Sequence, residues 1–115
     1  MIPEIIKLIS TTRLPLQDEK ELQEAIENIF KEHNYIYERE YILDTKSRID
    51  FLLRNGIGTE VKIKGTVKQI YRQCERYCQI DKIKTLILVT NRTMGFPAEI
   101  NNKPCYVIKL GKAWL

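Results

Sequence analysis

Residues 48–64 read RIDFLLRNGIGTEVKIK, two short apolar runs that flank an Asn-Gly turn sequence. Asn-Gly is typical of a two-residue hairpin loop. That loop would pair Asp50 with Val61, and each face of the hairpin would then mix apolar and charged side chains. A three-residue loop over 55–57, or a bulge at Gly58, restores a clean alternation. The apolar pattern therefore predicts either the three-residue loop or the bulge.

In this register the two faces of the hairpin differ in chemistry. The apolar face carries Ile49, Phe51, Leu53, Val61 and Ile63. The opposite face collects Arg48, Asp50, Leu52, Glu60, Lys62 and Lys64. Two close carboxylates repel each other unless a cation lies between them, and their oxygens suit Mg²⁺ or Mn²⁺. With a lysine beside them they are sufficient for phosphodiester hydrolysis, while a surface ladder of ion pairs is the alternative interpretation.

Helices and strands are predicted around this hairpin. Apolar residues at helical spacing predict amphipathic helices over residues 17–33 and 67–78, and residues 1–15 are ambiguous. Runs of strand-forming residues occur at 35–43, 48–54, 58–64, 85–90 and 105–110. This order predicts one α/β domain over residues 1–115, with a mixed central sheet flanked by helices.

Composition and charge exclude several classes of protein. Of the 115 residues, 43% are hydrophobic and 30% are charged, as in globular domains. The chain has no apolar run that could cross a bilayer, no signal-peptide pattern, and too few cysteines for a disulfide framework. We therefore expect a cytoplasmic domain without membrane contact.

The charge is unevenly distributed along the chain. Residues 16–44 hold nine acidic and three basic side chains, whereas residues 61–92 hold eight basic and two acidic ones. A basic segment of this kind is either a phosphate-binding surface or the solubilising charge of exposed helix faces. Charge alone does not decide between the two interpretations.

The charged face of the hairpin resembles a known nuclease signature. Asp50, followed after nine residues by Glu60-Val61-Lys62, is similar to the D-x(n)-E-x-K motif of the PD-(D/E)XK nuclease superfamily. The resemblance spans residues 18–90 and implies the restriction-endonuclease-like αβββαβ core. It implies that Asp50 and Glu60 bind the metal through their side chains and Val61 through its backbone carbonyl. Lys62 would be the catalytic lysine.

Both predicted helices add to this resemblance. Gln73 and Tyr77 match the Q-x-x-x-Y motif of the RecB-like branch, which implies that they reach the catalytic site or the nucleic-acid backbone. The stretch EKEL that begins at Glu19 is similar to the E-x-E-L opening of archaeal Holliday-junction resolvases, where the first glutamate completes the metal site. Glu24 and Glu40 are the alternatives to Glu19 for that role.

The resemblance implies a Mg²⁺- or Mn²⁺-dependent deoxyribonuclease that uses a metal-activated water. We expect an endonuclease of low sequence specificity or with structure selectivity, acting as a homodimer, and RNA stays open as a substrate. A catalytically inactive nucleic-acid-binding module of the same fold is the alternative, and a protein-interaction domain is a third interpretation. Three cysteines are one short of an iron–sulfur cluster, so none is expected. Candidate contacts to the nucleic acid are Lys64, Lys68, Arg72, Arg76 and Tyr77.

Overall fold

Three helices and six strands make up residues 1–111, the part of the chain that the computed structural model describes. The helices are α1 (Ile2–Thr11), α2 (Glu19–Glu32) and α3 (Val67–Cys78). The strands are β1 (Tyr37–Ile42), β2 (Arg48–Leu53), β3 (Ile57–Lys62), β4 (Thr85–Thr90), β5 (Glu99–Ile100) and β6 (Lys103–Lys109). Across residues 1–111, the helices are all too short or too polar to traverse a membrane.

All six strands belong to one mixed sheet, in the order β1-β2-β3-β4-β6-β5. β1, β2 and β3 pair antiparallel, whereas β3, β4 and β6 run parallel to one another. β5 adds an antiparallel edge to β6. α3 makes the crossover between the parallel strands β3 and β4. The predicted α/β class, with a mixed sheet flanked by helices, is confirmed.

The sheet has a separate hydrophobic core on each face. α1 and α2 pack on the first face, and α3 packs on the second. β4 contributes alternately to both: Ile87 and Val89 lie in the first core, and Leu86 and Leu88 lie in the second. A strand covered on both sides can be apolar throughout, which accounts for the continuous apolar run TLILVT over Thr85–Thr90.

Local signals explain two of the helices. α1 has Pro3 in its first turn, and Ile5 and Ile9 are buried one turn apart, although the sequence left this segment ambiguous. α3 begins with a capping box: the Gln69 N–H donates to Thr66 Oγ1, and the Thr66 N–H donates to Gln69 Oε1, both at 3.1 Å. The predicted helix over residues 67–78 is therefore confirmed at both ends.

The β2–β3 hairpin has a three-residue loop, as the alternation required, but the loop lies one residue earlier than predicted. It consists of Arg54–Gly56, so that Leu53 pairs with Ile57. Asn55 has φ 68° and Gly56 has φ 75°, left-handed conformations that these two residue types adopt at low cost. The Asn-Gly pair thus still makes the turn.

The faces of the hairpin follow the prediction with one exception. The first core contains Phe51, Leu53, Val61 and Ile63. The prediction for Ile49 is wrong, because its side chain lies in the second core, above Gly58. A Cβ at Gly58 would lie 2.6 Å from Ile49 Cδ1, so the missing side chain makes room for Ile49. Ile49 and Phe51, two residues apart on β2, therefore point to opposite faces of the sheet, whereas a regular strand would place both on the same face.

Candidate active site

β2 and β3 separate beyond the pair Phe51↔Thr59, and two carboxylates occupy the opening. The backbone N–H of Asp50 donates to Glu60 Oε1 at 3.0 Å, and the N–H of Val61 donates to Asp50 Oδ2 at 2.8 Å. Each acid thus accepts a hydrogen bond from the opposite strand, where a regular ladder would use backbone carbonyls. The structure therefore brings Asp50 and Glu60 together.

This opening coincides with an irregularity in the edge strand β1. β1 pairs with β2 on both sides of Glu40, but Glu40, opposite Asp50, has no ladder pair in the described part of the sheet. Its φ of 53° is a left-handed conformation that costs energy for a residue with a Cβ. Irregularities of this kind redirect side chains beside active sites. The break in the alternation of β2 occurs at this same level, at Asp50.

The two carboxylates are poorly hydrated and short of positive charge. Glu60 is 2% exposed, and Asp50 is half-buried. Burial raises the pKa of Glu60, and the charge of Asp50 raises it further. Burial also raises the pKa of Asp50, against the opposing effect of the Val61 N–H. Lys62 Nζ lies 3.9 Å from Glu60 Oε2, so it offsets the repulsion only in part.

Glu19 is the third carboxylate at the site. It is the first residue of α2, and its Oε1 accepts a hydrogen bond from the backbone N–H of Ile63 at 2.9 Å, just beyond the end of β3. Its negative charge also raises the pKa of Asp50. Glu24 and Glu40, the alternatives considered from the sequence, have exposed side chains. The fold thus brings Glu19, 44 residues away in sequence from Ile63, to the carboxylate pair.

Tyr77 reaches the site from α3, on the second face of the sheet. Its side chain is 1% exposed, and its hydroxyl lies 3.0 Å from Glu60 Oε2 and 2.9 Å from the carbonyl oxygen of Arg48. A side chain buried to this extent has no surface with which to contact a nucleic acid. The assignment of Tyr77 as a nucleic-acid contact is therefore corrected: its hydroxyl positions Glu60 from inside the core.

The hydroxyl of Tyr77 has one proton and two neighbouring acceptors. When Tyr77 donates to Arg48 O, a hydrogen bond to Glu60 Oε2 forms only if Glu60 is protonated and donates to Tyr77 Oη. The raised pKa of Glu60 favours that state. A proton on Glu60 and a bound cation are therefore two ways of neutralising the same pair of carboxylates.

Gln73, one turn before Tyr77, is half-buried, and within residues 1–111 it makes no hydrogen bond to the carboxylates. A second α3 residue, Cys74, is affected by the charge of Glu60. Burial, together with the charge of Glu60, raises the pKa of the Cys74 thiol to about 12. A neutral thiol thus borders the carboxylates. The spacing of Cys74 and Tyr77, three residues apart on the apolar stripe, was the sequence signal for this proximity.

The four predicted basic contacts lie on the surface. Three of them are four residues apart along α3 and share one face of the helix: Lys68, Arg72 and Arg76. Lys64 precedes the helix and is also exposed. These side chains form a basic row that begins close to the end of β3, where Lys62 lies.

The donor atoms at the site suit a hard cation, although they do not form a closed cage. Within residues 1–111, no group of three His, Cys, Asp or Glu side chains is arranged to hold a metal ion. However, a carboxylate oxygen that accepts one hydrogen bond retains a lone pair for a metal. Asp50, Glu60 and Glu19 supply oxygens of the type that Mg²⁺ and Mn²⁺ prefer. Burial raises the pKa of both Asp50 and Glu60, the neighbouring carboxylates add to it, and a cation would offset that repulsion.

Comparison of the chain with known protein families, with curated proteins and with solved structures finds no match.

Proposed function

We propose that this protein is a metal-dependent nuclease that hydrolyses DNA phosphodiester bonds, with a restriction-endonuclease-like core. The observation that carries the proposal is the placement of Asp50 and Glu60 in the opening between β2 and β3, with Lys62 two residues along the same strand. Low sequence specificity or structure selectivity is proposed because the candidate DNA contacts are basic side chains, which bind phosphates and read no base sequence.

The proposed ligands of Mg²⁺ or Mn²⁺ are the carboxylates of Asp50, Glu60 and Glu19 and the carbonyl oxygen of Val61. A bound ion of this kind polarises a phosphate and lowers the pKa of a coordinated water. The chain's own contribution is to hold the carboxylates apart from bulk water. Hydrogen bonds from the backbone of Asp50, Val61 and Ile63 fix one oxygen of each of the three acids.

Lys62 provides positive charge beside the carboxylates. Its Nζ is 3.9 Å from Glu60 Oε2, and its side chain is partly exposed, so it can also meet a phosphate that approaches from solvent. In that position an ammonium group stabilises the charge that develops on the phosphate, or orients the attacking water. Gln73, half-buried one helical turn from Tyr77, is proposed as a further polar group of the catalytic set.

The basic row formed by Lys64, Lys68, Arg72 and Arg76 is proposed to hold the DNA backbone. Phosphate contacts of this type give affinity and orientation without reading sequence. A homodimer would bring two sites to the two strands of a duplex. The homodimer, RNA as a substrate and a cytoplasmic location stay predictions from the sequence.

Cleavage of labelled single-stranded, duplex and four-way-junction DNA tests the proposal. We expect cutting that requires Mg²⁺ or Mn²⁺ and is lost in Asp50→Asn and Lys62→Ala. Glu32→Gln and Lys31→Ala, exposed positions at the end of α2, are the matched controls and should cut like the parent protein. Metal-independent cutting, or cutting that survives both site substitutions, would refute the assignment.

One observation favours the alternative, a catalytically inactive nucleic-acid-binding module of the same fold. Burial and the charge of Asp50 raise the pKa of Glu60, and Lys62 Nζ lies 3.9 Å from Glu60 Oε2, so a proton and this ammonium group can neutralise the site without a metal. Under this alternative, DNA binding falls steeply with salt, but neither metal ion produces cleavage. Calorimetric titration with Mn²⁺ separates the two functions, because the binding module has no affinity for the ion at Asp50.

A further inference from the structure

Two cysteines meet in the second core, on the side of α3 that is remote from the basic row. Cys78 is the last residue of α3, and Cys105 lies in β6, 27 residues later. Their sulfur atoms are 3.8 Å apart. A disulfide bond requires an S–S distance of about 2 Å, so the two atoms need to approach each other by roughly 1.8 Å. This is within reach of a change in side-chain rotamers or a small shift of a helix end.

The segments that carry the two cysteines are already joined by hydrogen bonds. Asn101 Nδ2 donates to the carbonyl oxygen of Cys78 at 3.1 Å, and Lys103 Nζ donates to the carbonyl oxygen of Ile80 at 2.7 Å. These contacts hold the end of α3 against the β5–β6 turn. A covalent bond between the two sulfurs would therefore strengthen an existing contact and would not require a new one.

The two thiols are not equivalent. Cys105 is 7% exposed, whereas Cys78 is completely buried. The S–H of Cys78 and the backbone N–H of Ile100 both stabilise a thiolate on Cys105 and hold its pKa below the ordinary value, while burial and Glu99 oppose this effect. Because the thiolate is the reactive form, Cys105 is the thiol that an oxidant meets first.

We propose that Cys105 and Cys78 are a redox site that a peroxide converts to an intramolecular disulfide. The thiolate of Cys105 attacks one peroxide oxygen, the O–O bond breaks, and the product is a sulfenic acid and, after protonation, water. The sulfur of Cys78 then attacks the sulfur of Cys105, and the S–O bond breaks. The leaving hydroxide takes the Cys78 proton as a second water. In total, two thiols are oxidised and one peroxide is reduced.

The experiment treats the folded full-length protein with hydrogen peroxide, removes the excess, and alkylates the remaining thiols in denaturant. We expect one alkylated cysteine, Cys74, and a peptide map with Cys78 linked to Cys105. The oxidised protein should unfold at a temperature at least about 5 °C higher, since the bond closes a loop in the unfolded chain. Dithiothreitol should reverse both changes.

Single cysteine variants identify which two thiols form the disulfide. Cys74→Ala should still lose two thiols on oxidation, whereas Cys78→Ala should stop at the sulfenic acid of Cys105, which a dimedone probe detects. Three free thiols after peroxide treatment, a bond that involves Cys74, or a disulfide between two chains would each overturn the proposal. If a variant fails to fold, the peptide map of the parent protein decides by itself. None of these readouts depends on nuclease activity.

Discussion

Asp50 and Glu60 connect β2 and β3 through two hydrogen bonds between a carboxylate and the opposite backbone. The Asp50 N–H donates to the Glu60 carboxylate, and the N–H of Val61, the residue after Glu60, donates to the Asp50 carboxylate. The hairpin thus replaces part of its ladder with two acidic side chains. The exchange satisfies the buried N–H groups but places two negative charges in a poorly hydrated gap. Neutralisation of one charge, by a proton or by a cation, should therefore stabilise the fold.

Replacing Asp50 with asparagine should change stability and nuclease activity in opposite directions. In Asp50→Asn, the amide oxygen can still accept from the Val61 N–H, while the repulsion with Glu60 disappears. We expect the free energy of unfolding of the metal-free variant to rise by about 1 kcal/mol, because like charges opposite each other on neighbouring strands destabilise a sheet. Denaturant unfolding measures the gain, and metal-dependent cleavage should be lost. Asp50→Ala, which leaves the N–H without an acceptor, should be less stable than Asp50→Asn.

The stability of the metal-free protein should fall as the pH rises. The pKa of Glu60 in the folded protein is above its ordinary value of 4.5, so the folded state binds the proton more tightly than the unfolded state. The contribution of Glu60 is complete below the ordinary value, and it is lost progressively until the pH exceeds the raised value. Thermal unfolding between about pH 5 and about pH 8 measures this slope.

Glu60→Gln is the control for that pH dependence. The amide does not titrate, so the variant should show a smaller decrease in melting temperature over the same range. Mn²⁺ should likewise reduce the decrease in the parent protein, because the ion replaces the proton. Equal slopes for Glu60→Gln and the parent protein would contradict the raised pKa.

The Tyr77 hydroxyl is expected to contribute to stability through Glu60. Tyr77→Phe removes the partner of both Arg48 O and Glu60 Oε2 in the core, which should cost about 1–3 kcal/mol. A double-mutant cycle with Glu60→Ala, which removes the carboxylate and its hydrogen bond to Tyr77, should show a coupling energy. Tyr71→Phe, on the same helix but partly exposed, should cost less. Strictly additive effects would exclude the proposed contact.

Gly58 makes the space that Ile49 fills. In Gly58→Ala, the new Cβ would lie 2.6 Å from Ile49 Cδ1 and 2.7 Å from Ile83 Cδ1, so both buried side chains must move. We expect a loss of about 1–3 kcal/mol, measured by denaturant unfolding. Ile49→Val in the same chain should recover part of the loss. Gly95→Ala is the control, because a Cβ there meets no atom within 4 Å.

The basic row on α3 should determine how DNA affinity depends on salt. Each of Lys68→Ala, Arg72→Ala and Arg76→Ala should lower the slope of log K against log salt by about 0.9 if the side chain neutralises one phosphate of duplex DNA. Fluorescence anisotropy over a salt series measures the slope. Lys31→Ala, exposed on α2, should leave it unchanged. An unchanged slope in all four variants would place the DNA elsewhere.

The amino-acid sequence by itself determined the class of fold and the neighbourhood of Asp50 and Glu60. Hydrophobic periodicity is a local property, so without tertiary information it identified α2, α3 and every strand except the two-residue β5, which falls in a stretch expected to be mostly loop. The same alternation also required an odd number of residues in the β2–β3 loop. Periodicity did not resolve α1, whose ten residues make fewer than three helical turns. The loop position was wrong by one residue, because both placements preserve the same alternation.

Only the tertiary structure decided which distant groups join the carboxylate pair. Glu19 was selected over Glu24 because the start of α2 packs beside the end of β3, a contact across 44 residues. Tyr77 lies on the apolar stripe of α3, but its contact with Glu60 depends on how α3 packs against the second face of the sheet. Ile49 changed face because β2 loses its regular ladder at Asp50, next to the left-handed Glu40. Such choices depend on packing between elements, which no local pattern encodes.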